Sequence, residues 1–272
     1  MTLRSRIAPT PSGFLHTGNA CNFLLTYQKV KEAGGSLRLR IDDLDAARIK
    51  PEYVQDVFET LGWLGVRWDE GPRNVREHYL EYSQQLRTGR YHQLIDMLVN
   101  KGLAYACDCS RKKTGQSGND GQYPGTCRHK GIPPATPGTA IRIIVPGDTV
   151  VQFEDEAMGT VSIDLHSVMP DFIIRRKDGI PAYQIASLAD DLGYGINYIV
   201  RGADLLQSTA AQLFLADLLG EHSFSHVRFH HHPLCEDHRG HKLSKSAGSR
   251  SVRAMRQAGY SRDEILRIIK DW

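Results

Sequence analysis

Two stretches far apart in the sequence carry residues suited to gripping a polyphosphate. Residues 8–20 read APTPSGFLHTGNA, with two prolines, two glycines and His16 just ahead of a helix-forming run. A glycine-bearing turn between a strand and a helix lets backbone N–H groups and the helix dipole face an anion. Residues 240–248 read GHKLSKSAG, where Lys242 and Lys245, with the hydroxyls of Ser244 and Ser246, make a cationic clamp between two glycines. Each motif alone has a plainer reading: a packing turn, a helix-capping histidine, a solvated basic loop. The pair is far more specific than either member. No Ser-His-Asp array accompanies them, so the chemistry they suit is alignment and charge stabilisation on phosphates.

A third group is Cys107, Cys109 and Cys127, three of only five cysteines, in a segment rich in loop-forming residues and poor in aliphatic ones. Such a segment is too polar to form an apolar core of its own. Three thiolates favour zinc there over disulfides, and zinc would supply the missing local stability. His129, two residues after Cys127, is the ordinary type of fourth ligand. The triplet His230–His232 sits in a strand pattern that sends neighbours to opposite faces, which marks it as substrate-side or structural rather than a second metal site.

The elements that must hold these residues follow from periodicity. A short strand precedes the turn, Ala20, Phe23, Leu24, Tyr27 and Val30 repeat at helical spacing, and Leu37, Leu39 and Ile41 alternate as a strand. This is a βαβ unit, hence a parallel sheet with a right-handed crossover. Pro51 opens a second helix, and one further helix is expected over EYSQQLRTGRYHQLIDMLVNKG. Beyond the cysteine segment come three short strands, a turn at 177–179, a helix over PAYQIASLADDLG, a strand at NYIVRG, a helix over STAAQLFLADLLG and a last strand at HVRFHHHP. The layout is two α/β halves around a small metal-bearing insert. The expected division is 1–102 and 166–235 for the halves, 103–165 for the insertion and 236–272 for the lysine loop and final helices. With 272 residues, 40% hydrophobic content and a net charge of +3, the chain has room for a large core and carries no global cationic field. No apolar run is long enough to span a bilayer and the N-terminus lacks a signal-peptide pattern, so no membrane partner and a cytoplasmic location are expected.

The HTGN turn (His16, Gly18, Asn19) and KLSKS loop resemble the two signatures of class I aminoacyl-tRNA synthetases, in the same order and setting. RIAPTPSGFLHTG, LRIDDLD, PAYQIASLADD and IVRGADLL resemble blocks of glutamyl-tRNA synthetases, with matches running from residue 4 to about 247. The resemblance implies a Rossmann-like parallel sheet with a small zinc-bearing insertion and a short C-terminal helical segment. It implies ATP as substrate with Mg²⁺, and attack of an amino-acid carboxylate on the α-phosphate. That carboxylate is already ionised, so no general base is required. His16, Gly18, Asn19, Lys242 and Lys245 become the catalytic set, with Ser244 added for ATP binding. Arg6, Ala8, Thr10, Asp42, Tyr183 and Arg201 become the L-glutamate site. Arg201 suits a side-chain carboxylate, because its guanidinium engages both oxygens; a structural ion pair with Asp204 or Asp190 is the alternative. The chain departs from the family at Asp42, where Glu is usual, and at Thr10, where Ser is usual.

The spacing Cys-x-Cys followed by Tyr-x-x-x-Cys resembles the zinc site of the glutamyl-queuosine tRNA(Asp) synthetases, which implies Tyr123 as fourth ligand, with His129 the chemically plain alternative. About 25 residues follow the lysine loop, which leaves no room for a large anticodon-binding region and fits these shorter relatives. The expected partner is therefore tRNA(Asp) carrying queuosine, met by a monomer. A truncated glutamyl-tRNA synthetase charging a tRNA 3′ end, or a non-catalytic tRNA-binding paralogue, are the alternatives.

Overall fold

The βαβ opening forms as the periodicity predicts. In the computed structural model, which describes residues 2–110, 123–234 and 251–264, β1 (Arg4–Ile7) pairs in parallel with β2 (Ser36–Leu39), joined by helix α1 (Thr17–Glu32). Helix α1 stops at Ala33, and Gly34 takes the left-handed conformation that starts the return. Gly71 is needed for a different reason: a Cβ there would lie 2.2 Å from the Leu39 carbonyl oxygen, at the end of β2. Helix α2 (Pro51–Leu64) places Pro51 at its first turn and buries Val54, Val57, Leu61 and Leu64 along one stripe.

The single helix expected near residues 81–102 is interrupted. His78–Tyr82 forms a π-helical turn, Ser83 is extended at φ −58° and ψ 138°, and Gln84–Arg87 is a 3₁₀ turn. The cause is tertiary. The buried carboxylate of Asp43 draws in the Ser83 hydroxyl (2.6 Å), the Gln84 N–H (2.8 Å) and His78 Nε2 (3.0 Å), and a straight helix cannot present all three.

The chain divides into two compact units. The first comprises Met1–Leu86, Ile196–Asp204 and Arg228–Trp272; the second comprises Arg87–Gly195 and Leu205–Val227. In the second unit, helices α3 (Thr88–Asn100), α4 (Tyr183–Gly193) and α5 (Leu206–Leu219) pack together over Tyr91, Ile95, Leu98, Leu188 and Leu215. Strands β3 (Ala104–Cys107), β4 (Ala140–Ile143) and β7 (Ile173–Arg175) form an antiparallel sheet with β4 in the middle. Strands β5 (Val150–Asp155) and β6 (Gly159–Asp164) form a hairpin. Neither β3 nor β5 is evident from the sequence pattern. The turn at 177–179 is present, closed by the Gly179 N–H on the Arg176 carbonyl.

The first unit is completed by β8 (Tyr198–Gly202) and β9 (Arg228–His232), paired in parallel, and by the short helix α6 (Val252–Gln257). Asn197, just before β8, accepts from the Arg4 N–H through Oδ1 (2.7 Å) and donates its own N–H to the Arg4 carbonyl (3.0 Å). The starts of β1 and β8 therefore lie side by side. Open α/β sheets bind ligands at the carboxyl ends of their parallel strands, here the ends of the β1–β2 and β8–β9 pairs. Helix α6 sends Val252 and Met255 into the same core as Ile7, Leu15, Leu39 and Leu61. Among the described residues no helix is long and apolar enough to cross a membrane.

Candidate active site

The histidine turn is fastened from four sides. His16 is the extended residue that opens α1, and Asn19 Oδ1 accepts its backbone N–H at 3.2 Å. Asn19 thus fixes the helix start. The preceding Leu15 N–H donates to Asp56 Oδ2 (3.0 Å) on α2. Burial pushes the Asp56 carboxyl above its ordinary value, against the lowering by the Leu15 N–H and Thr60. The Leu15 carbonyl accepts the Val252 N–H at 2.8 Å, and His16 forms an antiparallel bridge with Ser251. Ser251 Oγ caps α6 by accepting the Ala254 N–H. Arg253 lies 4.6 Å above the Phe14 ring, and Arg256 lies 5.6 Å above Trp63. One turn further along α1, Asn22 Oδ1 lies 3.0 Å from His232 Nε2, at the end of β9. Burial holds the His232 imidazole below its usual pKa.

Lys242, Ser244 and Lys245 lie outside the described residues. The residues on either side of their segment, His232 and Ser251, are both attached to the first turns of α1.

The amino-acid candidates of the first unit collect at the strand ends. Arg6 is buried in β1, Ala8 half-buried just beyond it, and Thr10 exposed. Counting from the Arg4–Asn197 contact, Ala8 and Arg201 each stand four residues further on. Arg201 is 2% exposed, with its guanidinium 5.8 Å from the Phe229 ring centroid. Asp42 is joined to the same edge by its N–H on the Pro9 carbonyl (2.9 Å). Its carboxylate is gripped by the buried Arg40 through Nε (2.7 Å) and Nη2 (3.0 Å). Tyr183 opens α4 in the second unit and is exposed; Asp190 there is held by the Arg87 fork and the Tyr91 hydroxyl.

Asp43 is a residue whose role sequence reasoning missed. Burial would raise its pKa, but His78, Ser83 and the Gln84 N–H bring it below the ordinary value. Only the pairing of two acids at a strand end hinted at it.

In the second unit the three thiols converge. Cys107 Sγ, Cys109 Sγ and Cys127 Sγ all lie within 4.8 Å of one another, with Cys109 and Cys127 3.4 Å apart. Cys107 stands at the end of a strand rather than in a loop. Tyr123 brings its Oη to 3.4 Å from Cys107 Sγ, and the same oxygen accepts the Cys127 N–H at 2.8 Å. His129 is exposed and outside the cluster. Burial and the two neighbouring thiols push Cys109 up to about 11, whereas Tyr123 and Arg142 pull Cys107 below its ordinary value despite its burial. Three sulfurs and a phenol oxygen in this compass are a donor set of the right number and softness for a tetrahedral zinc ion. A cavity of about 410 Å³ lined by Cys107, Cys109, Arg142 and Lys177 gives access from one side.

A family profile of class I tRNA synthetases (E and Q), catalytic domain, matches residues 2–271. The chain belongs to this family. It is a ligase of the aminoacyl-tRNA synthetase kind, and the parallel strands around the histidine turn are that family's catalytic fold. It is 38% identical to the glutamyl-Q tRNA(Asp) synthetase of Nitratidesulfovibrio vulgaris over 94% of this chain and 82% of the relative. To that of Pseudomonas syringae pv. syringae it is 42% identical, over 89% of this chain and 76% of the relative. Among solved structures, the glutamate-tRNA synthetase from Elizabethkingia anophelis superposes with a TM-score of 0.75 at 25% identity, covering 96% of this chain and 54% of that one. A glutamate tRNA ligase from Elizabethkingia meningosepticum, in complex with its amino acid, gives 0.74. The chain therefore spans about half the length of these two solved synthetases.

Proposed function

We propose that this protein activates L-glutamate with ATP and Mg²⁺ to glutamyl-adenylate, then transfers the glutamyl group to the queuosine base in the anticodon loop of tRNA(Asp). The acceptor reading rests on identity of 38–42% to relatives named glutamyl-Q tRNA(Asp) synthetase, against 25% to the solved glutamate-tRNA synthetases. The activation reading rests above all on the bridge between His16 and Ser251. In sequence, Lys245 stands six residues before Ser251.

In this reading the triphosphate lies over the start of α1, where the helix dipole and His16 meet its charge and Gly18 lets backbone approach. Lys242, Ser244 and Lys245 stabilise the charge that builds on the leaving pyrophosphate. Arg6, Ala8, Thr10 and Arg201 receive glutamate, and the Arg201 fork takes its side-chain carboxylate. Asp42, its carboxylate shared with Arg40, meets the ammonium. Tyr183 is carried over by resemblance as a further substrate contact. Cys107, Cys109, Tyr123 and Cys127 hold zinc, which organises the strand ends around them.

The test is glutamate-dependent ATP–pyrophosphate exchange without tRNA, followed by transfer to tRNA(Asp) with and without queuosine. Exchange with glutamate, and transfer only to the queuosine-bearing tRNA after removal of its 3′-terminal adenosine, is the expected result. Loss of transfer on that trimming would instead assign a conventional 3′ acceptor. Equal exchange with aspartate or glutamine would overturn the roles of Asp42 and Arg201.

A further inference from the structure

We propose that Arg142, steadied by the backbone of Asp171, is a positioning residue that holds Tyr123 in the metal's ligand set. The inference rests on the zinc reading above and deepens it.

A tyrosine is an uncommon fourth ligand, and its ring must be held at one angle for the oxygen to stay with the sulfurs. The Arg142 guanidinium lies 3.7 Å from the centroid of the Tyr123 ring. It is the nearest cation-to-ring approach among the described residues. Arg142 is 8% exposed and sits in β4, the central strand of its sheet, opposite Tyr105 on one side and Ile173 on the other. Its swing is therefore restricted.

Its charge is unusual too. Among the described residues no carboxylate pairs with Arg142, and its Nε is buried without a hydrogen-bond partner. Buried charges are normally paired. The groups around this one are the Tyr123 ring, the Cys107 side of the thiol cavity and one carbonyl, that of Asp171, which accepts Nη1 at 2.8 Å.

Asp171 is built to aim that carbonyl. It is the one non-glycine among the described residues in the left-handed region, at φ +34°. Its carboxylate keeps it there: it accepts from Arg128 (2.6 and 3.0 Å), from the Tyr105 hydroxyl (2.6 Å) and from the Val145 N–H (2.8 Å). Outer-layer partners of this kind orient ligands, and their loss typically weakens metal binding by about 10–100-fold.

The experiment uses the full chain loaded with cobalt(II), whose visible bands report the thiolate ligand field. Arg142→Gln is expected to lower cobalt affinity by about 10–100-fold and to shift the bands. Arg142→Lys, which keeps the charge without the planar stack, should fall between, and circular dichroism checks that both variants fold. In a Tyr123→Phe background, Arg142→Gln should cost clearly less affinity than in the unmodified chain, the remainder being the loss of its direct contact with Cys107. An equal loss in both backgrounds, or an unchanged spectrum and affinity in the single variant, overturns the proposal. If Tyr123→Phe binds cobalt as the unmodified chain does, the proposal falls while a three-thiol metal site stands. If the unmodified chain takes up neither cobalt nor zinc, the zinc reading itself has failed and this proposal with it.

Discussion

Around His16 the polar groups are held by backbone partners and by a continuous apolar core: Leu15 is clasped between Asp56 and Val252, and Val252 belongs to the same buried cluster as Ile7 and Leu61. Around Cys107 the buried cluster consists of Cys107, Tyr123 and Cys127 themselves, with Tyr105, Cys109 and Ile132 leaning on it. The first site is positioned by what surrounds it, so its chemical groups can be removed without loss of shape. The second draws its buried core from its own candidate ligands, with Arg142 and Asp171 steadying one of them, so removing the ligands removes most of the local core. In the first region the groups that would do chemistry can be told apart from those that hold the shape; in the second the candidate metal ligands are themselves what holds it.

The sharpest way to test that contrast is to delete the groups proposed to meet the triphosphate. Lys245→Ala or His16→Ala is expected to cut glutamate-dependent pyrophosphate exchange by about 10²–10³-fold. For His16→Ala the thermal midpoint should move little, because the His16 side chain is not among the buried residues of the apolar core. A large fall in melting temperature would erase the distinction. The converse holds for the thiols. Chelation, or Cys127→Ser, should lower amide-exchange protection across β3 and β4 by roughly 100-fold, with loss of bound metal. Protection that survives chelation would place the second region in the same category as the first.

Two buried carboxylates of the first unit sharpen the comparison further, because their pH signatures have opposite sign. Asp43 has a folded-state pKa below its ordinary 3.8. Its contribution is present above the unfolded value and is lost as pH falls through the folded one. Asp43→Asn should therefore cost about 3 kcal/mol near neutrality, measured by urea unfolding, and should flatten the loss of stability in acid. Asp56 is raised, so its neutral form favours the fold; that stability is present below pH 3.8 and is lost as pH rises through the folded value. Asp56→Asn retains an acceptor for the Leu15 N–H. We expect a change within about 1 kcal/mol near pH 7, and a flatter profile between acid and neutral conditions. Parallel pH profiles for the two variants would contradict these assignments.

Much of the first unit was legible in the sequence, because its signals are local. The turn before α1, the helical spacing from Ala20 to Val30, the alternation through Leu37 and Leu39, and Pro51 at a helix start all act within a few residues. What escaped depends on distant partners. The break at Ser83 is dictated by Asp43, forty residues earlier. Strand β3 is composed of small and half-polar residues, and β5 buries only Phe153 and Asp155, so neither shows clean alternation. The three thiols were readable from cysteine spacing and Tyr123 only through the family resemblance, whereas Arg142 and Asp171, which organise the set, carry no sequence mark at all.

The π-helical turn at His78–Tyr82 also bears on how this chain can change over evolutionary time. Each residue of a helix advances the chain by about 100°, so deleting one residue here would restore ordinary winding but rotate the following segment by nearly a third of a revolution. The Ser83 and Gln84 donors would then leave Asp43, whose neighbour Asp42 is tied to the Pro9 carbonyl. Insertions and deletions in this short stretch are therefore expected to be purged, even though Leu80 on its outer surface is exposed.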